Sequence, residues 1–217
     1  MLQAILFDLD GTLVDTDPLH FQIWQEILSR HGIDIDHPTY KATISGRQNP
    51  QIISDLLPHL SQSEAEQLAE DKEAQFRSQA AGLEPLPGLD RILQWITDQG
   101  LKTGVVTNAP RQNARFMLSV LKLQDYFKTV VLGEDMSAGK PDPAPYQFCL
   151  EQLQITPERT IVFEDSPSGI RSSVGAGIET IGVATTHAPE KLQKVGANRV
   201  ITDFNDAELW QWLKQAT

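Results

Sequence analysis

The sequence predicts an α/β protein, a doubly wound and mostly parallel sheet with an all-helical insert after its first strand. Three observations carry that expectation. Short apolar runs alternate with helical periods through the later part of the chain, residues 18–81 show helical patterning without a strand signal, and several apolar runs end in polar turn-forming residues.

Ala4-Ile5-Leu6-Phe7 is the first such run, entering a polar, glycine-containing turn at Asp8–Thr12, as a buried parallel strand does when it gives way to a loop. From Pro18 to about Ala81 the period is helical. Trp24, Ile27 and Leu28 share a face, Pro50 stands at an expected first helical position, and Ser63 to Glu66 matches a capping box. After Pro85-Leu86-Pro87-Gly88 the alternation resumes. A helix near Leu89–Asp98 leads to a strand at Thr103–Val106, a helix at about Arg111–Leu121 and a strand at Thr129–Leu132. A helix near Pro145–Leu153, a strand at Thr160–Phe163, a short helix near Ser168–Ala176 and a strand at Thr180–Val183 follow. Right-handed crossovers between parallel strands place helices on both faces. The chain therefore divides into a core of residues 1–17 and 82–217 and a helical cap of residues 18–81. An insert at that point is expected to overhang the carboxyl ends of the strands, where open α/β sheets bind ligands.

Composition narrows the function classes. A chain of 217 residues can bury a sizeable core, and no apolar run approaches the roughly 20 residues needed to cross a bilayer. The start of the sequence lacks the basic, apolar and small-residue pattern of a signal peptide, so a cytoplasmic location is expected. The one cysteine, Cys149, has no disulfide or metal-type partner spacing and reads as a small buried hydrophobe. A formal charge of −11, with no basic stripe, excludes nucleic acid as the expected partner. A small phosphate remains compatible, provided that cations and backbone N–H groups are concentrated locally.

Four segments at strand ends bear chemistry. Asp8 and Asp10 are spaced so that one carboxylate can attack phosphorus while the other moves protons for the leaving oxygen and then for water. Thr107 and Asn108 end an apolar strand with neutral donors suited to phosphoryl oxygens. Lys140, in Gly139-Lys140-Pro141-Asp142-Pro143, offers a point charge. Glu164-Asp165 follows Ile161-Val162-Phe163 and presents the hard oxygen ligands that Mg²⁺ prefers. Each segment alone is equally an ordinary turn, helix cap or solvated lysine. Together they supply complementary parts of one reaction at one edge of the sheet, and a divalent cation would relieve the repulsion among the carboxylates.

Asp8-x-Asp10-x-Thr12, Thr107, Lys140 and Glu164-Asp165 resemble, in order and context, the four motifs of the haloacid-dehalogenase superfamily, over essentially the whole chain. The helical insert resembles the cap of the subgroup that contains β-phosphoglucomutase and phosphoglycolate phosphatase. The resemblance implies Asp8 as nucleophile, Asp10 as acid/base, Thr107 and Asn108 on the phosphoryl oxygens and Lys140 as electrostatic partner. It also implies Mg²⁺ on the Asp8 carboxylate, the Asp10 carbonyl and Asp165, with Glu164 in or near the coordination shell. An alkoxide leaving from phosphorus needs a proton and a halide does not, so Asp10 favours phosphatase over dehalogenase chemistry.

The expected activity is hydrolysis of a small phosphorylated metabolite by a monomer or weak dimer, without a membrane. In the cap, His20 lies one helical turn before Trp24, and Arg47 sits in an expected turn where it can grip a substrate oxygen or a distal anion. A phosphomutase is the nearest alternative. The mutases carry Lys-Gly-Val-Ser-Arg in that turn, where this chain has Ile44-Ser45-Gly46-Arg47-Gln48-Asn49, and their cap lysine has no counterpart at Gln75 or Phe76. A phospho-aspartate receiver domain also combines an acceptor aspartate, an acidic pair, a hydroxyl and a lysine, but it has no cap and its acceptor follows an internal strand. No G-x-G-x-x-G follows the first strand, which argues against dinucleotide binding.

Overall fold

A computed structural model describes residues 1–216. The described residues fold as two compact units, 1–15 with 83–216 and 16–82. In the first unit, strands β1 (Ala4–Phe7), β2 (Lys102–Thr107), β3 (Thr129–Leu132), β4 (Thr160–Glu164), β5 (Glu179–Val183) and β6 (Arg199–Ile201) form one sheet in the order β3-β2-β1-β4-β5-β6. Every neighbouring pair is parallel. The connections after β1 carry helices α5 (Leu89–Asp98), α6 (Arg111–Val120), α7 (Ala144–Leu153), α8 (Pro167–Gly175) and α9 (Pro189–Lys194), and α10 (Ala207–Ala216) follows β6.

Both faces of the central strands are dry, which is why β1 and β4 read as unbroken apolar runs. Leu6, Val106 and Val162 pack on one face with Tyr146, Cys149 and Leu150 of α7. On the other, Phe7 stacks on Phe163 at 5.4 Å between ring centroids and meets Phe127 and Phe204 edge-on. Because β2 and β3 lie to one side of β1 and β4–β6 to the other, the turn after β1 occupies the switch point of the sheet. Phe7 is level with Val105 and with Phe163, so the residues that follow each strand emerge side by side. The Asp8 N–H, donating to the Phe163 carbonyl at 3.0 Å, extends this pairing by one residue.

The second unit contains α1 (Asp17–Arg30), α2 (His37–Thr43), α3 (Asn49–Leu56) and α4 (Gln62–Gln79), with no strand among the described residues. Ile23, Trp24, Ile27 and Leu28 of α1 are buried, as is Phe76 of α4. Asp17 joins the start of α1 to α2. Its Oδ1 accepts from Tyr40 Oη at 3.0 Å and Ser45 Oγ at 2.9 Å, and its Oδ2 accepts from Lys41 Nζ at 2.5 Å.

Two helix starts differ from the sequence expectation. The capping box is Ser61 with Glu64 rather than Ser63 with Glu66, and Pro50 is the second residue of α3 rather than the first. Both serines have a glutamate three residues on, and the tie is broken by Leu57–Leu60, which is already in a turn, so the chain is free to begin its helix at Gln62.

Candidate active site

Lys140 organises the strand-end cluster. An ammonium has three N–H donors, and all three are used: to Asp8 Oδ1 at 2.6 Å, Glu164 Oε1 at 2.5 Å and the Val106 carbonyl at 2.6 Å. Burial works against the charged lysine, but the Asp8 and Glu164 carboxylates outweigh it and raise its pKa, so the cation persists at any physiological pH.

Glu164 is wholly buried, and its Oε1 also accepts from Tyr146 Oη at 2.8 Å. Burial pushes its carboxyl above the ordinary range, while Lys140 opposes that rise. Space for it depends on Gly169 of α8, where a Cβ would lie 1.8 Å from Glu164 Oε1. Asp165 is buried beside it. Its carboxyl is pushed well up, first by burial and then by the Asp8 and Glu164 charges.

Asp8, Glu164 and Asp165 each offer an oxygen within 4.8 Å of the others, a dry group of three carboxylates against one ammonium. That imbalance fits a hard divalent cation, which would lower the carboxyl pKa values again. Glu164 is the least available of the three because Lys140 and Tyr146 already engage one oxygen and Ser166 the other. Asp10 lies half-buried in the turn, in an isolated bridge with Val14. Its carboxylate is not one of the clustered ligand atoms, so the expected contribution of Asp10 to an ion is its carbonyl.

At the end of β2 the two neighbours differ. Thr107 Oγ1 accepts from the Ala109 N–H at 2.9 Å, which leaves the hydroxyl proton to donate to an anion. The Asn108 amide is instead committed to the lysine loop: its Nδ2 donates to the Lys140 carbonyl and its Oδ1 accepts the Lys140 N–H, both at 3.0 Å. The Asn108 side chain thus braces the Lys140 loop with one N–H and its oxygen, and the pair leaves its second amide hydrogen for the expected contact with phosphoryl oxygens. The reciprocal pair spans 32 residues, so nothing local announces it.

His20 of α1 is half-buried and stacks on Phe76 at 4.4 Å. Lys72 Nζ lies 3.0 Å from His20 Nδ1 and 2.8 Å from Glu73 Oε1, an oxygen that also accepts from Asn49 Nδ2 at 2.6 Å. An ammonium can only donate, so Nδ1 is the acceptor and the neutral ring carries its proton on Nε2. Burial, reinforced by Lys72, lowers the His20 pKa to about 3. Burial disfavours the Glu73 carboxylate, but Lys72 prevails and holds its pKa below the usual value. Arg47 bonds elsewhere, to Asp55 Oδ2 at 2.6 Å and the Thr43 carbonyl at 2.7 Å.

Sequence reasoning missed Lys72 and Tyr146. A cap lysine does exist, one helical turn before Phe76 rather than at Gln75 or Phe76, and it stands on the buried side of α4 with Phe76. Tyr146 falls inside the helix expected near Pro145–Leu153 without a role of its own, although a buried phenol needs a partner and so signals a polar group nearby.

A parallel sheet with a buried lysine–carboxylate cluster at its switch point defines a class of α/β enzymes that handle anionic substrates. The model of haloacid dehalogenase-like hydrolases matches residues 5–183. The chain belongs to that family. It is 31% identical over 184 residues to a phosphorylated carbohydrates phosphatase from Thermotoga maritima, covering 83% of this chain and 84% of the relative. It is 25% identical to a β-phosphoglucomutase from Bacillus subtilis, with 96% and 92% covered. The crystal structure of a family IA, variant 3 hydrolase from Entamoeba histolytica superposes with a TM-score of 0.88 at 27% identity, covering 99% of both chains.

Proposed function

We propose that the chain is a Mg²⁺-dependent phosphatase of a small phosphate monoester, such as a sugar phosphate, acting through an aspartyl-phosphate on Asp8. The observation that carries this reading is the clamp on Asp8: Lys140 holds one oxygen of its carboxylate at 2.6 Å while two further carboxylates crowd the same spot. An ammonium bonded to the attacking carboxylate orients it and compensates its charge as a phosphoryl dianion approaches. Asp8 attacks phosphorus as the bond to the leaving oxygen breaks, and Asp10 gives that oxygen its proton. A water then attacks the aspartyl-phosphate, Asp10 takes the water proton, and inorganic phosphate leaves with Asp8 regenerated. The Thr107 hydroxyl donates to a phosphoryl oxygen. Asp8, Asp165, the Asp10 carbonyl and, less directly, Glu164 would hold Mg²⁺, which supplies charge neutralisation for the phosphoryl oxygens when bound.

Phosphorylated sugars, nucleotides and phosphoglycolate assayed with Mg²⁺ and again with a chelator form the test. Release of phosphate from at least one ester, lost on chelation, is expected. Full activity in metal-free buffer would refute the metal role, and no hydrolysis of any ester would refute the phosphatase reading.

Lys72 favours a second reading, phosphomutase, because a buried cap lysine beside His20 removes one of the differences from the mutases. The turn sequence Ser45-Gly46-Arg47 still departs from theirs, and Arg47 is paired with Asp55. β-Glucose 1-phosphate supplied with Mg²⁺ and a trace of the 1,6-bisphosphate separates the two. Phosphate should outpace glucose 6-phosphate, and the reverse order would establish the mutase.

A further inference from the structure

We propose that Thr186, in the loop after β5, is the positioning residue that orients Asp165 toward a divalent cation. The proposal rests on the reading of Asp8 and Asp165 as ligands of that ion.

Thr186 Oγ1 hydrogen-bonds Asp165 Oδ2 and lies 3.1 Å from the Asp165 carbonyl and 2.9 Å from His187 Nδ1. A hydroxyl has one proton. Given to Oδ2, it leaves the oxygen lone pairs to accept from His187, whose Nδ1 then carries the hydrogen. The preceding residue anchors the same loop on the other side, Thr185 Oγ1 donating to the Gly11 carbonyl at 2.5 Å. Two consecutive hydroxyls therefore tie the β5 loop to the Asp8–Thr12 turn and to Asp165.

Gly11 completes the enclosure. At φ +85°, its missing Cβ would lie 2.2 Å from Asp165 Oδ2 and 3.1 Å from Thr186 Cγ2. Asp165 is thus confined between a glycine that permits close approach and a threonine that engages one of its oxygens. The terminal torsion of an aspartate is soft, so a carboxylate without such a partner spreads over many orientations. Binding Oδ2 to Thr186 selects one orientation and leaves Oδ1 for an ion. Groups that hold a metal ligand in place characteristically affect affinity by about 10–100-fold when removed.

Thr186→Val keeps the shape and deletes the hydroxyl. Mn²⁺ binding to the full-length protein, measured by calorimetry without substrate, is expected to weaken about 10–100-fold, with an unchanged melting temperature in metal-free buffer. Thr186→Ser should restore binding to within a few-fold. Asp165→Asn separates this claim from the metal reading. If wild type binds Mn²⁺ and Asp165→Asn does not, the reading stands and Thr186 alone is under test. Wild-type affinity in Thr186→Val, or a serine that fails to rescue, then overturns the proposal. If Asp165→Asn binds as wild type does, or wild type binds nothing, the metal reading fails and the positioning role falls with it.

Discussion

Two ionic clusters, one in each unit, differ in charge balance. In the helical unit, Lys72 is matched by Glu73, and His20 is held neutral with its pKa near 3. At the sheet switch point, Lys140 faces Asp8, Glu164 and Asp165, and the carboxyl groups of the last two are pushed upward. A matched cluster is electrostatically complete as it stands. An unmatched one is finished only by a proton or a cation, which is the condition of a site that binds and reacts. Burial alone therefore does not mark function. Uncompensated charge does.

Mutations sharpen this contrast, beginning with the largest expected loss. Asp8→Asn removes the nucleophile at nearly constant volume and should lower kcat by about 10⁴-fold or more while leaving the far-ultraviolet circular dichroism unchanged. Near-normal turnover would sink the assignment. Asp10→Asn should cost about 10²–10⁴-fold with an ester whose alcohol is a poor leaving group, and much less with a p-nitrophenyl ester that needs no proton. Equal losses on both substrates would remove Asp10 from proton transfer. For Lys140→Ala, steady-state kinetics should report a kcat lower by about 10²–10³-fold, because Asp8 and the phosphoryl charge then meet without compensation. Wild-type kinetics would contradict the electrostatic role.

The smallest effect should come from the matched cluster and concern stability. Burial depresses the folded-state pKa of His20 from 6.5 to about 3, so between those values the unfolded chain binds a proton that the folded chain refuses. The stability this neutral histidine contributes is complete above pH 6.5 and declines as pH falls, by up to about 1.4 kcal/mol per unit. Denaturant unfolding at pH 6.5, 5.5 and 4.5 should show that extra slope in the wild type and not in His20→Asn. Parallel pH profiles for the two proteins would show that His20 takes its proton in the folded state.

Much of the sheet was legible because its signals are local. β1, β3 and α5 begin and end where apolar period and turn residues place them, and the strands expected near Thr103, Thr160 and Thr180 appear within a residue of their expected bounds. β6 was not legible, since three residues are too few to establish a period. Choosing Ser61 over Ser63 as a cap was likewise undetermined, because both satisfy the same four-residue rule.

By itself the sequence determined the alternation of strands and helices, the helical stretch after β1, and the appearance of Asp8, Thr107, Lys140 and Glu164-Asp165 at strand or loop boundaries in that order. Periodicity and turn chemistry operate over a few residues, so a linear reading captures them. Tertiary structure alone decided which partners meet. It put Lys140 on Asp8 across 132 residues, turned the Asn108 amide to the lysine loop, paired Lys72 with His20 across 52 residues and bonded Thr186 to Asp165. Those choices depend on strand order and on the space that Gly11 and Gly169 leave for buried carboxylates. Both emerge only when distant segments pack together and every buried donor must find an acceptor.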